Sequence, residues 1–298
     1  MSRQVQGYVY LALAMLTVGS TVIASKLIAS SLPPFSATAL RFAIAFPVLL
    51  LLMWATGAGL PRFSRHDRLI LIIQAGAGSV GYTTLLISGL SLTSAADAGV
   101  IIGTLPVVSA AISILLLRER PQRALLLAVA LATSGVLSIA FTPDAAGGSL
   151  TGNALIFLAV VCEGLFILLN KRLKTEIAPL ALSTLMAGIG FIVAAIPAIF
   201  EAPFAHGIST SAVAAVVYYA LVPTVGGFLL WYAGAERVSG TEAALFTALA
   251  PVSAVMLAFV ILGEPVGLSQ IAGIACVLAA VLGLAFAGSR TVKLAGGR

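Results

Sequence analysis

One carboxylate stands where carboxylates are expensive. Glu163 lies near the middle of an apolar run over 152–172. An ionised side chain at the centre of a bilayer costs roughly 3 kcal/mol or more unless water or an opposite charge meets it. Glu163 is therefore expected to face a cavity, where it contacts a solute amine or carries a proton. The alternative is a packed, permanently protonated acid. Asn170 follows seven residues later on the same helical face. A second polar set, Thr17, Ser20, Thr21 and Ser25, gives the run over 8–29 a hydrophilic stripe, with Lys26 beside Ser25.

Two further stripes repeat every four residues. Gln74, Gly78 and Tyr82 form one, with Thr83 and Thr84 beside the tyrosine; Tyr219, Pro223, Gly227 and Trp231 form the other. Aromatic walls with a few hydroxyls suit amphipathic or aromatic metabolites. For Trp231, anchoring at the membrane interface is an equal alternative. The expected substrate-binding set is Glu163, Tyr82, Asn170, Trp231, Gln74, Thr84 and Ser25.

Other chemistries lack their residues. His66 and His206 fall in loops, so no histidine is available inside the apolar runs for nucleophilic or metal chemistry. Cys162 and Cys276 lie within apolar runs and read as small packing residues. Gly76-x-Gly78-x-x-Gly81 matches a dinucleotide fingerprint, but no strand precedes it and its glycines sit inside an apolar helix. No phosphate-binding loop of the Walker type is present. The expectation is a non-enzyme without metal or cofactor.

The elements that would position these residues follow from composition. The chain has 298 residues, 60% hydrophobic and 9% charged, with net charge +6. Soluble domains carry about a quarter charged residues, so a compact cytosolic enzyme is excluded. A transmembrane barrel is excluded too, because its strands alternate over about 10 residues. Apolar runs near the length that spans a bilayer occur at 8–29, 35–56, 69–89, 95–117, 122–141, 152–172, 178–200, 212–234, 240–262 and 267–288. The expected fold is an all-α integral membrane protein of ten transmembrane helices.

Lys and Arg sort these spans. Fourteen of the sixteen bases fall on one side of an even-span topology, and only Lys26 and Arg41 fall on the other. Basic residues accumulate in cytoplasmic loops, so both termini are expected in the cytoplasm.

Shifting the chain by 145 residues aligns its halves without a gap. Gly7 then meets Gly152, Pro34 meets Pro179, Gly89 meets Gly234, Asp97 meets Glu242, Pro106 meets Pro251 and Glu119 meets Glu264. Residues 1–145 and 146–298 become two five-helix repeats, inverted relative to each other because five is odd. Inverted repeats build secondary transporters with a site near the midplane. Pro106 and Pro251, well inside spans 4 and 9, are expected hinges that release the carbonyls of Ile102 and Thr247. Ser94-x-x-Asp97 and Ser239-x-x-Glu242 read as capping boxes, and Glu119 and Glu264 as acids favouring the helices that follow them. Ala275, Ala279, Gly283 and Ala287 give span 10 a small-residue face expected to pack on a neighbouring span or on another subunit.

Ten spans, two five-helix repeats and the paired segments Leu117-Arg118-Glu119-Arg120 and Leu262-Gly263-Glu264-Pro265 resemble the drug/metabolite transporter superfamily, EamA-like branch. The resemblance covers nearly the whole chain. It implies export of amino acids, including aromatic ones, and of other small metabolites across a bacterial inner membrane. Two alternatives are exchange of phosphorylated or nucleotide-linked solutes, which would require several cavity cations, and broad drug or metabolite efflux. Expected partners are a small-molecule substrate, the lipid bilayer and protons at the buried acid. Nucleic acid is not expected, and the chain acts as a monomer or homodimer.

Overall fold

The computed structural model describes residues 3–117, 123–140, 149–170, 172–201, 207–238, 246–247 and 249–295. Arg118, Glu119, Arg120, Lys171, His206, Ser239 and Glu242 lie outside the described residues.

Every regular element among the described residues is helical. The helices are α1 (Arg3–Ala29), α2 (Pro34–Ala55), α3 (Arg65–Gln74), α4 (Tyr82–Leu90), α5 (Ala95–Ile102), α6 (Leu105–Leu117), α7 (Arg123–Ala140) and α8 (Leu150–Asn170). They continue with α9 (Pro179–Ala198), α10 (Thr210–Tyr219), α11 (Gly227–Ala235), α12 (Leu249–Leu262) and α13 (Leu268–Ala295). Two π-helical segments, Ala75–Gly81 and Ala220–Gly226, join α3 to α4 and α10 to α11. Six continuous helical stretches are long and apolar enough to cross a membrane: Arg3–Ala29, Pro34–Ala55, Arg65–Leu90, Leu150–Asn170, Pro179–Glu201 and Thr210–Ala235. The other four expected spans contain shorter apolar helices. Large apolar side chains such as Leu51, Trp54, Ile192 and Phe200 point outward, as lipid-facing residues do in a multi-pass membrane protein.

Local chemistry sets the boundaries. Ser64 and Ser209 cap α3 and α10 by accepting from the backbone N–H of Asp67 and Ala212. Pro34 and Pro179 open α2 and α9, where a missing N–H costs nothing. Ser94 caps α5 in the expected way, its Oγ accepting from the Asp97 N–H at 3.0 Å.

Glu264 caps a different helix from the one expected. Its Oε1 and Oε2 accept from the backbone N–H groups of Ala95 (3.1 Å) and Ala96 (3.0 Å), at the start of α5 rather than of α13. Gly263, at φ +66°, supplies the left-handed turn that ends α12 just before this acid. Glu201 does the same for α2, accepting from the N–H groups of Phe35 (3.0 Å) and Ser36 (2.7 Å). Acids that look like local caps thus tie distant segments together. Glu264→Gln is expected to cost about 1 kcal/mol, because a charge-assisted cap becomes a neutral one. Thermal unfolding in detergent should show a midpoint lower by about 2–4 °C; an unchanged midpoint would refute the assignment.

Packing pairs are reciprocal. α2 packs on α9, and α7 on α13, each helix meeting its mate at the 145-residue offset. α1 packs on α11 and α12, and its mate α8 packs on α4 and α6. Glycines aligned by the repeat meet crosswise. A Cβ on Gly7 would lie 3.3 Å from the Gly234 carbonyl oxygen, and one on Gly152 would lie 3.0 Å from that of Gly89.

Two expectations change. Span 4 is broken rather than kinked: α5 ends at Ile102, Gly103 and Thr104 form a turn, and Pro106 is the second residue of α6. There the proline needs no donor, and the Thr104 hydroxyl donates to the Ile101 carbonyl at 2.6 Å. A Cβ on Gly103 would meet Pro251 Cβ at 2.8 Å, so the break in one half abuts the proline of the other. The small-residue face of span 10 is not the face α13 packs with. Ala275, Ala279 and Gly283 are exposed, whereas Val277, Ala280 and Val281 are buried. Close approach comes instead from Gly135 on α7, where a Cβ would lie 2.9 Å from the Gly273 carbonyl oxygen.

Candidate functional site

A cavity of about 290 Å³ opens between the halves, lined from α1, α2, α4, α5, α6, α8, α9, α10, α11 and both π segments. This is at the lower end of small-molecule pockets. Glu163 lines it from α8, and among the described residues no hydrogen bond or ion pair engages its carboxylate. Tyr82 and Trp231 line it from α4 and α11.

Both four-residue stripes converge here: Gly78 and Tyr82 from one, and Tyr219, Pro223, Gly227 and Trp231 from the other. The π segments explain how. Four residues of α-helix overshoot a full turn by about 40°, so a long stripe with that spacing winds away from its starting face. A wider turn inserted midway takes up that drift. The two segments lie at the same 145-residue offset as the rest of the repeat. In the first, a Cβ on Gly78 would overlap the Phe166 ring at 2.3 Å, so only glycine lets α8 approach this closely.

Four expected contacts lie elsewhere. Ser25 is fully buried in α1, its hydroxyl without a partner among the described residues. Gln74 is buried one residue before the first π segment, its Nε2 donating to the Phe166 carbonyl at 3.2 Å. The Thr84 hydroxyl donates to the Val80 carbonyl at 2.9 Å, inside its own helix. Asn170, the last residue of α8, is exposed. Of the α1 stripe, only Thr21 reaches the cavity.

Arg41, a candidate cavity cation left out of the expected binding set, enters the cavity from α2. Its Nη1 donates to Thr83 Oγ1 at 2.7 Å and its Nε to Thr224 Oγ1 at 3.0 Å. The guanidinium carbon stands 4.0 Å from the Tyr219 ring centroid and 4.7 Å from that of Phe42. The signal existed: Arg41 and Lys26 are the two bases that defy the charge sorting, and both are engaged inside the protein. Lys26 Nζ donates to the carbonyls of Leu90 (2.8 Å) and Thr93 (2.6 Å), terminating α4. Phe42, Phe166 and Phe228 complete the aromatic wall. Among the described residues no three His, Cys, Asp or Glu side chains converge as a metal site would require.

Comparison with known proteins places this arrangement. The model of the EamA-like transporter family matches residues 5–141 and again 150–286. A transporter of Bacillus subtilis named YetK, described as uncharacterized, is 37% identical over 285 residues, covering 94% of this chain and 86% of its own length. A probable terminal-alkyne amino-acid exporter of Streptantibioticus cattleyicolor is 29% identical over 232 residues, covering 75% of this chain and 74% of its own. One solved crystal structure superposes with a TM-score of 0.64 at 21% identity, over 97% of this chain and 98% of that one, a likeness of fold.

Proposed function

The chain belongs to the EamA-like transporter family, and on that footing we propose that it exports small amphipathic metabolites, foremost amino acids including aromatic ones. It does so as ten transmembrane helices in two inverted five-helix repeats, residues 1–145 and 146–298, with both termini in the cytoplasm. The membrane is a bacterial inner membrane. One observation carries the reading: the cavity between the halves combines an unengaged carboxylate with an aromatic wall. A carboxylate suits a solute amine, and the rings suit an apolar side chain. The amino-acid exporter among the relatives supports the same class. The small volume and, among the described residues, a single cavity arginine disfavour nucleotide-linked solutes, which carry several negative charges.

The packing supports alternating access. α5 and α6 part at Gly103–Thr104, against Pro251 of the other half. Rocking there would expose the cavity to each side in turn. Pro106→Ala and Pro251→Ala should change the transport rate of correctly folded protein, and unchanged rates in both would remove the hinge. The function itself is tested by counterflow in proteoliposomes with labelled amino acids, nucleosides and sugars. Saturable, competable exchange of amino acids is expected; exchange of none of them by inserted protein would overturn the reading.

A further inference from the structure

The frame of the cavity is symmetric, but its charges are not. At the 145-residue offset Arg41 matches Met186 and Glu163 matches Val18, and all four line the same cavity. Each half therefore contributes one ion and one apolar counterpart. The two groups do not touch: among the described residues no direct ion pair joins them within 4.0 Å.

Arg41 is held ready by neutral partners. The Thr83 hydroxyl donates to the Ser79 carbonyl at 2.9 Å, and that of Thr224 to the Tyr219 carbonyl at 2.8 Å. A hydroxyl has one proton to give, so both keep a lone pair for the guanidinium. These hydroxyls belong to the two π-segment regions, one in each half, so Arg41 bridges the repeats. Nε and Nη1 are thus occupied, while Nη2 has no protein partner among the described residues.

Separated, unpaired ions in a membrane interior are costly. An anionic solute would pair Arg41 and set a like charge near Glu163. A cationic one would pair Glu163 and leave Arg41 unmet. A zwitterion meets both and adds no net charge. We infer that the cavity is a zwitterion site: Arg41 takes the α-carboxylate and Glu163 the α-ammonium of a free amino acid, whose apolar side chain lies against Phe166, Phe228 and Trp231. This deepens the export reading and rests on it. Arg41 sets specificity, through Nη2 and the charge that Thr83 and Thr224 orient.

The test uses purified wild-type protein in proteoliposomes carrying out counterflow of labelled L-phenylalanine. N-acetyl-phenylalanine lacks the ammonium and phenylalanine amide lacks the carboxylate. Each should compete at least about 10-fold more weakly than phenylalanine, the usual loss when a charged hydrogen bond is removed. Arg41→Met, which installs the residue of the other half, should abolish discrimination against the amide and keep it against the N-acetyl compound. Glu163→Gln should do the reverse. If either analogue competes as well as phenylalanine against the wild type, the zwitterion site is refuted while amino-acid transport stands. Continued discrimination against the amide by Arg41→Met refutes it equally. Absence of counterflow with phenylalanine and every other amino acid tried removes the export reading as well.

Discussion

Glu163→Gln is expected to raise the amino-acid concentration for half-maximal counterflow by about 10- to 100-fold. Glutamine keeps the shape and polarity of the side chain and deletes only its charge. A hydrogen bond to a charged group contributes about 1.5–3 kcal/mol, and each 1.4 kcal/mol is tenfold in affinity. The carboxylate has no protein partner among the described residues, so a solute would supply the missing one. Folding should survive, since no hydrogen bond to the surrounding helices is lost. If the glutamine variant transports normally at every pH, neither amine contact nor proton carriage can be its role, and a permanently protonated packing residue is what remains.

Gly19→Val should be the most damaging single change to the fold. A Cβ on Gly19 would stand 1.8 Å from Ser253 Oγ, and 2.8 Å from both the Ala250 carbonyl oxygen and the Ala254 nitrogen. The hydroxyl can rotate away, but the backbone of α12 cannot. α1 and α12 must then separate at the contact that joins the halves. Overpacking of this kind costs about 1–3 kcal/mol or more, and close small-residue contacts are a main source of helix association in lipid. Gly283→Val is the control, because among the described residues nothing lies within 4 Å of its Cβ position. Gly19→Val should lower the yield of monodisperse protein and its unfolding midpoint by several degrees, with Gly283→Val near wild type. Equal behaviour of the two variants would contradict the packing described for α1.

The sequence exposed the features that depend on position along the chain. Glu163 was visible because an ionisable group inside an apolar run is physically anomalous. Gly7, Gly89, Gly152 and Gly234 were visible as aligned pairs, and the fold brings them together crosswise. What stayed hidden depends on direction and on partners far away in the chain. Ser25, Gln74, Thr84 and Asn170 share helix faces with polar neighbours, yet helix rotation and competing carbonyls decide where their polar atoms go. Arg41 reads as a base near a helix end until α2 is seen to carry it beside Thr83 and Thr224. Glu264 sits where a cap for the next helix is expected and serves α5 instead. The π segments left a trace in the strict four-residue spacing of Tyr219, Pro223, Gly227 and Trp231, which about 40° of drift per step would otherwise scatter.

Binding in the cavity itself is the most direct test, and the chain carries its own reporter. It has two tryptophans: Trp231 lines the cavity, whereas Trp54 is 82% exposed at the far end of α2. In Trp54→Phe protein held in lipid nanodiscs, emission therefore comes from Trp231 alone. Titration with L-leucine should shift that emission saturably, and N-acetyl-leucine should require at least about 10-fold higher concentration for the same shift. A flat response to leucine and to every other free amino acid, up to millimolar concentration, would contradict a solute site between the halves.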